Sequence, residues 1–427
     1  MFGIVVSSEV IDFISHREAV SMSDYMVAAG IDVGNGYVKA KVQVGANAPR
    51  VLDLPSCVTY LSASSWIPSD ATDAYMADLV NELDCDVMSD AVAPSDRRRI
   101  LVGRRAAASG RVPVMFDIND ARPKCDDSLS GQLVCSAIVA AVLGQIWTDT
   151  GELPEAAVNV KAYVALALPI SDYAANRERY AHMFTEGNHT VHVHNFEREI
   201  TVNISFADVY VLPEGAAAQY AITQMGPKFL EAVIQEARDN GIPCEGETAA
   251  TLLSYSNTIG VDIGEGTVNF PVFRDGRVNV EASSSINRGY GTVLSDVVEQ
   301  TRGSGYAPDS RKELAEFMLK KDPTPRDRRI MAKLQHVIDD EADVFARDII
   351  GEYTRVLRRT KLVADVVYVY GGGADAVRSV LWPRLVEASK LDDDIYTPVM
   401  YLSSDVSRHL NRDGLFAVAL ARASKSA

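Results

Sequence analysis

The stretch GVDIGEGTVNF, residues 260–270, places two glycines directly after an apolar run that contains Asp262. Alternating apolar residues on both sides predict two strands joined by a tight turn, because the side chains of a strand point alternately to its two faces. Glycines let the backbone of such a turn approach a ligand closely, and consecutive N–H groups can bind an anion. The turn also contains Glu265, so the direction of this carboxylate decides whether phosphate can bind there.

A second copy of this pattern occurs in the N-terminal half of the chain. Residues 25–44, YMVAAGIDVGNGYVKAKVQV, again form strand, D-x-G-x-G turn and strand. The weak internal repeat predicts two related halves, and a length of 427 residues also favours two domains. In both copies a strand follows the glycines, whereas a helix follows them in a P-loop or a dinucleotide-binding turn. The pattern therefore predicts a phosphate site formed by a β-hairpin turn.

Composition limits the classes of function. A hydrophobic content of 47% predicts a folded globular protein, and a net charge of −16 disfavours direct contact with nucleic acid or anionic lipid. We find no apolar run of about 18 residues in the sequence, so we expect no membrane span. The five cysteines have no paired spacing, which fits the reducing cytoplasm. We expect a cytoplasmic protein without direct contact to nucleic acid or membrane.

The other elements follow from apolar runs and glycines. We predict a buried helix over residues 131–147, a buried strand over 159–168, and a closing helix near residue 420. SFADVYVLPEGAAAQYAI, residues 205–222, reads as strand, turn and alanine-rich helix. VVYVYGGGADAVRSVLW, residues 366–382, reads as strand, glycine turn and helix. Residues 45–125 are polar and irregular, which suggests a variable subdomain.

Several side chains near these turns could carry chemistry. Asp32 and Asp262 cannot face bare phosphate, but each suits a Mg²⁺ ion bound through water. Lys39 follows the first turn and could neutralise phosphate charge, although alone it would be a surface residue. Glu214 is either a catalytic carboxylate or a charge that stabilises a helix N-terminus. The triglycine at residues 371–373 is either a ligand-binding turn or an ordinary strand-to-helix turn.

The order of these motifs resembles the nucleotide-binding superfamily of actin, Hsp70 and hexokinase. IDVGNGYVK (31–39), VDIGEGTVN (261–269) and VYGGGADAV (369–377) are similar to its phosphate 1, phosphate 2 and adenosine motifs. VLPEGAAAQYA (211–221) resembles bacterial actin-like plasmid-partition ATPases of the ParM and Alp type. The resemblance covers residues 25–420. It implies an α/β actin-like fold of two related domains, each with a ribonuclease-H-like core, around a nucleotide cleft.

The resemblance also implies a division of the chain. Residues 1–23 would be an N-terminal extension, and domain I would span residues 24–258, with its variable subdomain at 45–125. Domain II would span residues 259–395, with a smaller subdomain at 296–340. Residues 396–427 would return to domain I.

Carried onto this sequence, the resemblance implies binding of ATP or ADP with Mg²⁺. Asp32 and Asp262 would hold the hydrated metal, and Glu214 would position the attacking water. The other binding residues would be Gly34, Asn35, Gly36, Lys39, Gly264, Glu265, Gly266 and Thr267 for the phosphates, and Arg311, Lys312, Gly371, Gly372 and Gly373 for the adenosine. In the phosphate 2 turn we expect Glu265 to point away, leaving backbone N–H groups to bind phosphate. The chain departs from the family at Asn269, where partition ATPases carry Asp and actin carries His. This change removes a second candidate for organising the water.

We therefore expect an ATPase that forms filaments and hydrolyses ATP to ADP and phosphate. The resemblance implies a role in plasmid or phage DNA segregation, through a DNA-binding adaptor on a centromere-like site. One alternative is a small-molecule kinase of the same superfamily, with Asp172 as its base. Another is a membrane-associated shape or division protein, which would need a terminal amphipathic anchor.

Overall fold

The computed structural model describes residues 24–62, 72–117, 122–361, 364–392 and 395–425. The predicted N-terminal extension lies outside this part. Contacts divide the chain into two compact units. Unit 1 consists of Met1–Leu168, Asp172–Leu212 and Asn411–Ala427, and unit 2 of Pro169–Ser171 and Pro213–Leu410.

Unit 1 is built on one ten-stranded sheet with the order β3-β2-β1-β8-β10-β9-β5-β6-β4-β7. Its strands are β1 (Asp24–Val33), β2 (Tyr37–Val44), β3 (Arg50–Pro55), β4 (Cys57–Tyr60), β5 (Asp84–Ser89), β6 (Arg99–Val102), β7 (Val114–Met115), β8 (Val158–Leu168), β9 (His189–Val193) and β10 (Ile200–Pro213). Its helices are α1 (Thr72–Ala77), α2 (Leu79–Glu82), α3 (Gly103–Ala107), α4 (Ser128–Thr150), α5 (Ile170–Thr185) and α14 (Leu410–Lys425).

The core of unit 1 lies around β1 and β8, which pair in parallel. The predicted buried helix is α4, whose residues from Leu129 to Ile146 are all buried. In the described part of the chain, α4 alone is long and apolar enough to cross a membrane, yet its whole apolar window is buried inside the unit. On β1, a Cβ at Gly30 would lie 2.1 Å from the backbone nitrogen of Phe416, so α14 packs directly against this strand.

The region predicted as irregular, residues 45–125, is more regular than expected. Strands β3 to β7 all join the sheet of unit 1. They contain only two to six residues each, too few for a clear alternating pattern. A buried ion pair of Arg99 with Asp84, 2.7 Å apart, links β6 to β5. Pairing with neighbouring strands, which no local pattern encodes, orders this region.

Unit 2 has a seven-stranded sheet, in which β14, β13, β11, β12 and β15 follow one another and β16 pairs with β11 and β17. The strands are β11 (Thr258–Ile263), β12 (Val268–Phe270), β13 (Val272–Arg274), β14 (Arg277–Val278), β15 (Ser284–Ile286), β16 (Val366–Tyr370) and β17 (Val399–Tyr401). The helices are α6 (Ala216–Gln224), α7 (Pro227–Asp239), α8 (Ala249–Ser254), α9 (Tyr290–Thr301), α10 (Arg311–Met318), α11 (Pro325–Arg359), α12 (Ala374–Ala388) and α13 (Ser404–Ser407).

The boundary between the units differs from the prediction. Helices α6, α7 and α8 contribute Ile222, Ile234 and Leu252 to the same buried cluster as Val261 of β11. Their apolar faces therefore belong to unit 2, although they precede residue 259. The contacts divide the chain after Leu212 rather than after residue 258, and return it to unit 1 at Asn411 rather than at residue 396.

A second, smaller core lies within unit 2. Val297 of α9, Leu314 of α10, and Leu334 and Ile338 of α11 form it. These helices span the region predicted as a smaller subdomain at residues 296–340. The fold is thus mixed α/β with two sheets, and each sheet carries one of the D-x-G-x-G turns.

Candidate functional site

The first glycine turn joins β1 to β2 in unit 1. The Gly34 N–H donates to the carbonyl of Tyr37 at 3.1 Å, which closes the turn as a hairpin, as predicted. Ser56 donates twice to this turn, from its N–H to the Gly36 carbonyl at 2.9 Å and from its Oγ to the Gly34 carbonyl at 2.6 Å. Donors of unit 1 therefore satisfy these two carbonyls. The N–H groups of the turn are the groups that could bind phosphate.

Lys39 and Asp32 lie opposite each other on the paired strands of this hairpin. Asp32 is buried, whereas Lys39 is half-buried and forms no ion pair within the described ranges. Within the described residues, the Lys39 ammonium is therefore not paired with a carboxylate of unit 1. It can neutralise the charge of a bound phosphate, as the sequence suggests.

Lys124 is a residue near this turn that the sequence did not indicate. Its side chain is buried, and its Nζ donates to the carbonyl of Val33 at 2.7 Å, at the end of β1. A buried ammonium at this place brings positive charge close to the residue that precedes the glycines. Lys124 lies in a short 3₁₀ helix with no recognisable motif, so only the fold could reveal it.

The second glycine turn joins β11 to β12 in unit 2 and repeats the design of the first. The Gly264 N–H donates to the Thr267 carbonyl at 2.9 Å. Here the start of α9 supplies the outer donors, because the N–H groups of Tyr290 and Gly291 bind the carbonyls of Gly264 and Glu265 at 3.0 and 2.8 Å. The two turns therefore share their closure, whereas different segments satisfy their carbonyls.

The Glu265 side chain lies against Arg311, at the start of α10. Their closest oxygen and nitrogen atoms are 3.1 Å apart. A Cβ at Gly291 would lie 2.6 Å from Glu265 Cγ, so the glycine leaves room for this side chain. Glu265 thus has a cationic partner of its own and does not need to face a phosphate.

The two predicted adenosine contacts of α10 differ in their surroundings. One guanidinium nitrogen of Arg311, Nη1, is buried and has no hydrogen-bond partner among the described residues. Lys312 is exposed, and its ammonium lies 3.9 Å from the Glu316 carboxylate on the same helix. Arg311 is therefore a positioned donor with one nitrogen available, whereas Lys312 is a surface side chain. Contact of either with adenosine stays a prediction.

Glu214 follows β10 and is buried in unit 2. Nδ2 of Asn269 donates to its Oε2 at 3.1 Å. Oδ1 of Asn269 is buried and has no hydrogen-bond partner within the described ranges. The sequence singled out both residues separately, but only the fold brings them into contact.

Asp262 lies between Asn269 and Tyr370 in the sheet of unit 2. It is the register partner of Asn269 on β12 and of Tyr370 on β16. Asp262 is buried, at 5% exposure. Register partners share one face of a sheet. Asp262, a predicted functional residue, therefore lies beside Asn269, where the chain departs from the family, and beside a tyrosine that the sequence analysis did not select.

Of the three glycines after β16, two pack closely against other residues and one has open space beside it. Gly371 has a φ of +105°, and a Cβ there would lie 2.5 Å from the Ile263 carbonyl oxygen and 2.6 Å from Asp262 Oδ1. A Cβ at Gly373 would lie 2.7 Å from that of Tyr290. Among the described residues, apart from its chain neighbours, no atom lies within 4 Å of a Cβ at Gly372. The outer glycines thus pack against the phosphate turn, and the middle one has space for a ligand.

Taken separately, the residues of each unit suit a phosphate group with hydrated magnesium. Each unit offers a glycine hairpin and one buried carboxylate, Asp32 or Asp262. In the part of the chain that the structure describes, no three His, Cys, Asp or Glu side chains are grouped as metal ligands. Few direct carboxylate ligands suit Mg²⁺, which keeps several waters and binds substrate phosphates.

The base of the alternative kinase, Asp172, follows β8, whose Leu166 pairs with Ile31 of β1. It is in the first turn of α5, where a negative charge stabilises the helix. This place fits a structural role.

Comparison with family models gives two matches. Residues 30–216 match "Actin like proteins N terminal domain", and residues 260–382 match "Archaeal actin homologue MreB-like, C-terminal". A search of curated proteins found no match.

Solved structures are similar over nearly the whole chain. Alp7A, an actin-like protein, is 16% identical with a TM-score of 0.61, covering 94% of this chain and 98% of its own. Bacillus thuringiensis ParM with AMPPNP is 15% identical with a TM-score of 0.58, covering 93% and 99%. A non-polymerisable quadruple mutant of pCBH ParM is 14% identical with a TM-score of 0.56, covering 92% and 98%. These similarities confirm the fold predicted from the motifs.

Proposed function

We propose that the chain is an actin-like protein of the ParM and Alp type, which hydrolyses ATP to ADP and phosphate and assembles into filaments. The observation that carries the proposal is the buried Glu214 carboxylate, held by Asn269 next to the phosphate turn of unit 2. Binding a nucleotide does not require this carboxylate. Its presence supports hydrolysis as well as binding.

The two hairpins bind phosphate oxygens in this proposal. Backbone N–H groups of residues 34–36 and 264–267 donate to them, and the Lys39 ammonium adds a positive charge. Asp32 in unit 1 and Asp262 in unit 2 would hold hydrated Mg²⁺, which supplies charge neutralisation when bound. The side chain of Glu265 stays with Arg311, so it does not repel the phosphates.

Glu214 acts on the water that attacks the γ-phosphate. Attack needs an oriented water and an acceptor for its proton. Asn269 fixes one carboxylate oxygen of Glu214 by donating to it, and Asn269 Oδ1 can accept a hydrogen from the water. An amide can orient water but does not take its proton, so in this proposal Asn269 fills part of the water-organising role that we expected to be missing. Of this pair, Glu214 is therefore the proton acceptor and Asn269 the positioning residue.

The assembly part of the proposal rests on the relatives. The pCBH relative was made non-polymerisable by mutation, and the Bacillus thuringiensis relative was solved with the ATP analogue AMPPNP. We extend nucleotide-dependent assembly to this chain. The finer proposal is plasmid or phage DNA segregation in the cytoplasm, with a DNA-binding adaptor. A net charge of −16 supports an adaptor, because it disfavours direct contact with DNA.

Light scattering and pelleting after addition of Mg-ATP test this function. We expect assembly with ATP, slower or absent assembly with ADP, and release of phosphate. Absence of assembly with either ATP or GTP over a range of salt and protein concentrations would contradict the filament proposal. Phosphate transfer to a small molecule, without assembly, would instead support the kinase.

A further inference from the structure

Tyr370 is the last residue of β16, directly before the triglycine turn, and its hydroxyl is fully enclosed in unit 2. The hydroxyl donates to the Gly215 carbonyl at 2.8 Å. Gly215 directly follows Glu214 and precedes α6. One hydrogen bond thus joins the strand that leads to the triglycine with the backbone that carries the Glu214 side chain.

The space for this hydroxyl is built by glycine. A Cβ at Gly260 would lie 2.3 Å from the Tyr370 oxygen and 2.6 Å from Nε2 of Gln219. Gln219 is itself held, because its amide donates to the Pro271 carbonyl at 3.2 Å and accepts a hydrogen bond from Thr258. A larger residue at position 260 would push the tyrosine away from Gly215.

The backbone that Tyr370 holds has little freedom. Gly215 has a φ of +79°, and a Cβ there would lie 3.0 Å from Pro271 Cγ and 3.3 Å from Asp262 Cβ. Burial, and then the Asp262 carboxylate, raise the pKa of the Tyr370 hydroxyl well above its usual value. A tyrosine hydroxyl is in any case protonated at neutral pH, so it is a donor to the Gly215 carbonyl.

We propose that Tyr370 is a positioning residue for hydrolysis, which fixes the direction of Glu214 through the Gly215 carbonyl. The inference rests on the proposed ATPase function and deepens it. Because Tyr370 continues directly into Gly371, a ligand that moves the triglycine also moves the donor that holds Gly215. The triglycine is thereby connected to Glu214, the proton acceptor, through Tyr370 and the Gly215 carbonyl.

The test compares two tyrosines of unit 2 that each bury a hydrogen-bonded hydroxyl. Tyr353 is equally buried, and its hydroxyl lies 2.7 Å from Ser389 Oγ, among residues that no motif includes. Tyr370→Phe and Tyr353→Phe each remove one such hydroxyl. Single-turnover hydrolysis, nucleotide affinity and melting temperature are measured for both variants and for the unaltered chain.

We expect Tyr370→Phe to slow hydrolysis about tenfold, as a small misplacement of a catalytic group does, with nucleotide affinity unchanged within about twofold. Tyr353→Phe should lower the melting temperature and hydrolyse ATP at the original rate. Unchanged hydrolysis in Tyr370→Phe, or equal slowing in both variants, would overturn the inference. If the unaltered chain binds ATP but does not hydrolyse it, the proposed function fails instead.

A second variant covers the case in which Tyr370→Phe does not fold. Thr258→Val keeps the side-chain shape but removes the hydroxyl that holds the Gln219 amide beside Tyr370. Slower hydrolysis at unchanged nucleotide affinity would support the inference. Hydrolysis at the original rate would overturn it.

Discussion

Glu265 shows how far single residues can be interpreted from sequence. A carboxylate that faces phosphate between the two glycines of such a turn is unfavourable, and the turn together with the family resemblance predicts that it points away. Its partner, Arg311, lies 46 positions later in the chain and could not be found from local spacing. The direction of a side chain in a turn is predictable, whereas its tertiary partner depends on the fold.

Replacing Glu265 by Gln tests this assignment. We expect nucleotide affinity to stay within about twofold and stability to fall by about 0–1 kcal/mol, as for other partly exposed ion pairs. Isothermal titration and chemical denaturation measure the two quantities. Asp262→Ala is the matched variant, and it should abolish Mg²⁺-dependent hydrolysis. A large loss of affinity in Glu265→Gln would mean that this carboxylate serves the nucleotide after all.

Asn269 and Glu214 form the second residue-scale test. If Asn269 acts only by holding Glu214, the two residues work as a unit and their effects do not add. We expect Asn269→Ala to slow hydrolysis about tenfold and Glu214→Ala to slow it more. The double variant should match Glu214→Ala alone. Fully additive losses in single-turnover rates would show that Asn269 acts independently of Glu214.

At the scale of elements, long patterned segments were predictable and short ones were not. The hairpin at the first turn follows from alternation along β1 and β2, and the buried helix α4 follows from a long apolar run. Strand β7 has two residues, and its pairing with β4 depends on distant parts of the chain. Lys124, in a single 3₁₀ turn, was missed for the same reason.

The triglycine turn offers a prediction at this scale. Gly371→Ala should lower the melting temperature strongly, because its φ is positive and its Cβ would meet the Ile263 carbonyl. Gly372→Ala has open space and should leave the melting temperature without nucleotide unchanged. If Gly372 contacts adenosine, this second variant binds ATP more weakly. Equal melting temperatures for the two variants would contradict the structural assignment.

At the scale of the whole molecule, the internal repeat correctly predicted two halves but not their boundary. The repeat marks where each turn begins, and α6 to α8 lie before the second turn in sequence. These helices nevertheless bury their apolar faces in unit 2. Motif positions thus locate the chemistry, whereas the division into compact units depends on which core buries each amphipathic helix.

The most direct test of the central claim is the lifetime of assemblies formed by Glu214→Ala, compared with the unaltered chain. Both proteins receive the same limiting amount of Mg-ATP, and pelleting and phosphate release are followed over time. We expect both to bind ATP and assemble, the unaltered chain to disassemble as phosphate is released, and Glu214→Ala to remain assembled with little release. Phosphate release at the original rate in Glu214→Ala would contradict the account.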